Sequence, residues 1–170
     1  MKFFNLLSLS FVILLSISCA KDGEQGPAGP QGPAGANGNA NVTSYYVNTT
    51  SANWTCSGLC YTDVNFPQIT QNILNSGLVC VFMQSTSSTG VWLNMPWTEF
   101  NTTYSSNYNF NYSLGSMRIF KEDSDLLTPL NPGVRTFKVI IIPSSQREAN
   151  PDVNWNNLAE IEKRFNVLEQ

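Results

Sequence analysis

Glycine recurs at every third position from Gly23 to Gly38, and Pro27, Pro30 and Pro33 each directly follow a glycine. No other feature limits the local structure of this chain so tightly. Proline removes a backbone donor and fixes φ, and glycine is costly in helix interiors, so neither helix nor sheet suits the tract. What remains is polyproline II, in the collagen register where only glycine fits the axis of three wound chains. Two outcomes follow. The tract is the stem of a homotrimer held in register by globular domains, or it is a monomeric semi-extended spacer. Eighteen residues at about 3.1 Å each would reach about 56 Å. No proline occupies the third position of a triplet, and so few triplets gain little against the entropy of aligning three chains, which favours the spacer.

What precedes the tract says where it is tethered. Lys2 leads into "FFNLLSLSFVILLSIS", residues 3–18, an apolar run shorter than the roughly 20 residues that span a bilayer. A basic start, an apolar middle and small residues before a cut predict a signal peptide over residues 1–18 rather than a buried core helix. The run ends in "SIS" before Cys19. This resembles the lipobox of bacterial lipoproteins, with Ser16 where leucine is usual, and implies cleavage before Cys19 and acylation of its sulfur. The alternative is plain secretion with Cys19 as a leftover thiol. Several acyl chains anchor stably where one is marginal. "AKDGE", residues 20–24, is similar to the export signal that carries some lipoproteins to the outer face of a Gram-negative outer membrane. Residues 19–41 therefore read as lipidated terminus plus spacer, with the membrane as partner through the lipid anchor.

Exclusions come from composition. Nine Lys and Arg against twelve Asp and Glu give −3, without a like-charge run, so no nucleic-acid partner is expected. There is no histidine. That removes Ser-His-Asp and Cys-His nucleophile systems and the commonest transition-metal ligand.

From Val42 the pattern changes to short runs rich in branched and aromatic residues: 42–47, 59–66, 78–83, 91–95, 108–114, 116–121 and 135–143. Their spacing predicts a mainly β domain over residues 42–170, a small antiparallel β-sandwich or barrel. Runs 78–83 and 137–142 are the most continuously apolar and should be central strands covered on both faces. "TQNILNSG" reads as a short helix with Thr70 as N-cap and Gly77 as a left-handed stop. A C-terminal α-helix within 152–167 places Trp155, Leu158, Ile161, Glu162 and Phe165 at helical spacing, all apolar but Glu162, to dock on the sheet. Glu160 with Lys163 or Arg164 should support its exposed face.

Lipobox, glycine tract, "PQIT", "VCVFM", Trp92-Leu93 with Met95-Pro96, "FKVIIIP" and the terminal "DVN" helix together resemble a group of small bacterial lipoproteins described as collagen-like. The resemblance implies an outer-membrane, outward-facing location and the same architecture, and implies no established activity.

Candidate chemistry is sparse. Cys56 and Cys60 in "CSGLC" either close a local disulfide, with Gly58 permitting the turn, or stay free. Cys80 reads as a buried small hydrophobe. "NYNFNY" puts Tyr108, Phe110 and Tyr112 on one face of a strand. That row is either the core side of a sheet or, with Trp97 and Tyr104, a platform for stacking on sugar rings. Glu122, Asp123 and Asp125 in "KEDSD" form a solvated turn in preference to a calcium loop, so no metal and no cofactor are expected. For catalysis only a carboxylate pair or a Ser-Lys arrangement survives, and Asp63, Glu99 and Asp152 lie in separate segments. The expectation is a non-enzymatic surface lipoprotein of structural or adhesive role, its partner a glycan or a cell-surface protein.

Overall fold

The alternation of apolar residues settles into strands wherever one face can be buried. A computed structural model describes residues 41–169, with side chains through Val167. The expected signal peptide, Cys19 and the glycine tract lie outside the described residues. Ten strands are present: β1 (Thr43–Thr49), β2 (Thr55–Ser57), β3 (Leu59–Asn65), β4 (Leu78–Gln84), β5 (Trp92–Asn94), β6 (Trp97–Phe100), β7 (Ser105–Ser113), β8 (Ser116–Asp123), β9 (Arg135–Ile142) and β10 (Leu168–Glu169). Three helices join them: α1 (Gln71–Ser76), α2 (Ser144–Ala149) and α3 (Leu158–Phe165).

The strands form two five-stranded sheets, ordered β10-β1-β9-β4-β5 and β2-β3-β8-β7-β6. All pairings are antiparallel except β1 with β10. The fold is thus the mainly β sandwich the spacing predicts. β4 and β9 are central, and the period of two divides their side chains. Val79, Val81, Met83, Phe137, Val139 and Ile141 enter the core between the sheets, where they meet Met117 and Ile119 of β8. Cys80, Phe82, Ile140 and Ile142 face the other way, against Leu158, Ile161 and Phe165 of α3. Each fully buried side chain of this size contributes about 1.5–3 kcal/mol, so α3 completes a second core.

Four local expectations need correction. Gly77 is not left-handed: its φ is −74°. Glycine is needed there because a Cβ would lie 2.8 Å from the Ile73 Cα and 2.9 Å from the Ile142 carbonyl oxygen, both backbone atoms. Thr70 holds the N-cap position of α1 but its side chain makes no cap hydrogen bond. Trp155 precedes α3 instead of lying on it, and reaches the same apolar face by stacking on Phe165 at 5.5 Å between ring centroids. Asn157 caps α3 by accepting from Glu160 N–H at 3.3 Å. On the exposed side Arg164 bonds Asp152, 2.8 Å, not Glu160, and the Glu160 carboxylate accepts from Asn154 N–H.

Topology gives the sandwich two distinguishable ends. The described chain enters at Thr43, opposite Ile141, and β1 runs to Thr49, opposite Arg135. The entry end also holds α1 and the Gly115 turn, whose N–H donates to the Ile69 carbonyl, while the turn between β5 and β6, with its cis Met95–Pro96 bond, lies midway, the Met95 N–H donating to the Val81 carbonyl. The far end holds the connections β1–β2, β2–β3, β4–β5, β6–β7 and β8–β9.

Candidate functional site

The longest far-end connection, residues 124–134, carries "SDLLTPLNPGV". Prolines and Asp-Asn turn chemistry keep it out of the ladders, yet it is tied down along its length. Asp125 Oδ1 accepts from Leu127 N–H at 3.0 Å, Thr128 Oγ1 from Gly58 N–H at 3.2 Å, and the Gly133 carbonyl from the Trp54 indole at 3.0 Å. Asn131 donates to the Ser51 carbonyl at 3.0 Å. Four apolar side chains nonetheless point to solvent: Leu126, 92% exposed, with Leu127, Leu130 and Val134. Leu126 also sits at φ 62°, a left-handed conformation unfavourable for a branched-chain residue. Phe100, 87% exposed, ends β6 on the same side, two strand spacings from Ser124 across β7. Among the described residues Leu114 is the large exposed apolar side chain at the entry end.

The edge strands β5 and β6 belong to different sheets and are joined by the Met95–Pro96 turn. A cleft of about 500 Å³ lies on the far side of the turn, lined by Trp97, Glu99, Phe100, Asn101 and the Ser85–Ser87 loop. On the entry side a second, of about 340 Å³, is lined by Phe110, Tyr112, Trp155, Asn94, Asn109 and Asn156. Both fall in the size range of small-molecule sites, about 300–1,000 Å³.

The sequence candidates distribute as follows. Trp97 is 37% exposed at the mouth of the first cleft, and Tyr104 is half-buried in the β6–β7 connection. Tyr108 is a correction to the stacking platform: it is 1% exposed, because the alternation of β7 turns its ring between the sheets. Burial pushes its hydroxyl pKa up, against the opposing pull of Arg135, whose Nη2 donates to it at 3.3 Å. Phe110 and Tyr112 pack partly on the same core and stack on one another. Cys56 and Cys60 are cross-strand partners in the β2–β3 hairpin and form a disulfide, with Gly58 at φ 77° in the turn. Burial raises the Cys80 thiol to about 12, so it behaves as a hydrophobe.

The carboxylates are drawn apart. Asp63 is held by Arg118 in a two-pronged contact, both distances 2.7 Å, a bond that lowers its pKa. Asp152 is held by Arg164 on the α3 side. Asp123 turns inward to Ser106 Oγ at 2.7 Å and Lys121 Nζ at 3.3 Å, leaving the "KEDSD" turn without its central carboxylate. Glu99 lines the cleft and makes no ion pair among the described residues. Among those residues no His, Cys, Asp and Glu cluster is arranged to hold a metal ion, and no helix is long and apolar enough to cross a membrane.

No family model, curated protein or solved structure matches the chain.

Sequence reading missed the rim and both clefts. The rim left one trace, a Leu-Leu and a Pro-Leu inside a turn-rich segment without helical or strand period. The clefts left none, since they depend on which strands end at the sandwich edge.

Proposed function

We propose that this chain is a membrane-anchored surface lipoprotein with an adhesive role. An acylated Cys19 holds it to the bacterial outer membrane, the glycine tract spaces it outward, and the sandwich meets a partner without catalysing a reaction on it. One observation carries the reading. The exposed apolar side chains Phe100, Leu126, Leu127, Leu130 and Val134 gather at the end of the sandwich opposite the point where the chain enters. Exposed apolar surface gathered at one end of a domain marks interaction sites. The engagement of Asp63 and Asp152 by arginines favours binding over hydrolysis.

Replacing Leu126, Leu127 and Leu130 together by Ser should leave the protein on the surface of intact cells, by biotin labelling, and cut attachment of those cells to a substratum several-fold. Unchanged attachment would remove the adhesive assignment. A second reading, a glycan-binding module on a stalk, is favoured by Trp97 at the mouth of the edge cleft.

A further inference from the structure

We infer that the β5–β6 edge binds an uncharged, elongated oligosaccharide of pyranose units, laid across the Met95–Pro96 turn with contacts in both clefts. The inference rests on the displayed-binder reading and assigns its ligand class.

The chemistry of the lining argues for the class. Aromatic rings, whose flat apolar faces suit the C–H faces of sugar rings, line both sides of the turn: Trp97 on one, and on the other Phe110, Tyr112 and Trp155, each with one face already stacked on a neighbouring ring. Side-chain amides, each with two donors and an acceptor oxygen, suit vicinal hydroxyl pairs. Asn101 supplies one in the first cleft, and Asn94, Asn109 and Asn156 supply three in the second. Asn94 and Asn156 already bond each other at 3.4 Å, which holds their planes in place. The hydroxyls of Ser85, Thr86 and Ser87 complete the far cleft.

Charge argues for neutrality. Neither cleft is lined by a lysine or arginine. The one ionised side chain in either is Glu99, which can accept from sugar hydroxyls and repels carboxylates, sulfates and phosphates. Nucleotides, uronic-acid chains and sulfated glycans are therefore disfavoured. The arrangement argues for length: the two clefts flank the stretch 93–97, which gives Leu93 and Trp97 to one and Asn94, Met95 and Pro96 to the other. A chain of sugars spans them, and a single residue fills only part of one.

Titrating the full detergent-solubilised lipoprotein with cellohexaose, laminarihexaose and chitohexaose tests this by tryptophan fluorescence and calorimetry. At least one hexaose should saturate at or below about 1 mM, at least tenfold tighter than its disaccharide and than hexagalacturonate. Trp97→Ala should weaken it at least tenfold and Trp97→Phe less. Glu99→Gln should narrow the gap to hexagalacturonate, with an unchanged thermal midpoint. Tyr61→Ala, outside both clefts, should change nothing. No saturation by any of the three up to about 10 mM, equal affinity for hexagalacturonate, or binding indifferent to both Trp97 variants overturns the assignment. Failure here with cell attachment still dependent on the leucine rim would leave the adhesive reading standing. Saturable binding by a protein absent from the cell surface would do the reverse.

Discussion

Lys138 sits in the most apolar strand of the molecule at 5% exposure, and its charge is kept by partners on every side. Glu162 of α3 bonds it at 2.7 Å, and the Tyr46 and Trp92 rings lie 5.0 and 5.3 Å from Nζ. Burial works against the ammonium, but the bonds to Glu162 and Tyr46 outweigh it and hold the pKa above the ordinary lysine value. The pair is asymmetric, since Glu162 is nearly half exposed and can be hydrated alone whereas Lys138 cannot. Glu162→Ala should therefore cost about 1.5–3 kcal/mol, and Lys138→Met less than about 1 kcal/mol, measured by urea unfolding at pH 7. The sign with pH follows from the raised value. The lysine's contribution is intact below its unfolded pKa and is lost as pH climbs through the folded one, so thermal midpoints from about pH 9 to 12 should fall more steeply in the wild type than in Lys138→Met. Glu162 was visible in the sequence as the polar residue on an apolar helix face. Its partner was not, because the pairing depends on where α3 lands on the sheet. Leu126 carries a second prediction at this scale. Asn tolerates the left-handed region, so Leu126→Asn should raise stability by up to about 1 kcal/mol while weakening attachment. A loss of stability would mean that the leucine is structural.

Elements were legible where one rule decided them. Strands β1, β3, β4, β5, β7, β8 and β9 follow from short runs rich in branched and aromatic residues, and the central place of β4 and β9 follows from apolarity on both faces. Strands β2, β6 and β10 are short edge pieces whose pairing comes from a neighbour rather than from their own composition, so nothing in "TCS" or "WTEF" announces a strand. The helix α2, with no buried residue, has no apolar stripe to read. In α3 the stripe was clear but its start was not, because Trp155 matches the helical spacing while docking from the preceding loop. Since α3, with Val153 and Trp155 ahead of it, caps the face of Cys80, Phe82, Ile140 and Ile142 and its Ile161 is fully buried there, Ile161→Ala should cost about 2–5 kcal/mol. Chemical denaturation with an unchanged m-value would check it. A cost near zero would mean that α3 is not part of the cooperative unit.

For the whole molecule, two kinds of information were divided between two parts of the chain. Residues 1–41 speak of place, through an apolar leader, a cysteine and a glycine period, and say nothing of a ligand. The sandwich has an exposed leucine rim at the far end and an aromatic, amide-lined edge, which arise only when segments distant in sequence meet. Phe100, Leu126 and Val134 share one end because β6 and β8 both pair antiparallel with β7 between them and the β8–β9 connection lies there, an arrangement that no local pattern encodes. The proposed surface display would join the two parts, and it depends on the proposed acylation of Cys19. Mass spectrometry of the N-terminal peptide from the protein extracted from cell envelopes tests that link directly. The account predicts a new terminus at Cys19 carrying acyl chains. An intact Met1, or an unmodified thiol at residue 19, would contradict it.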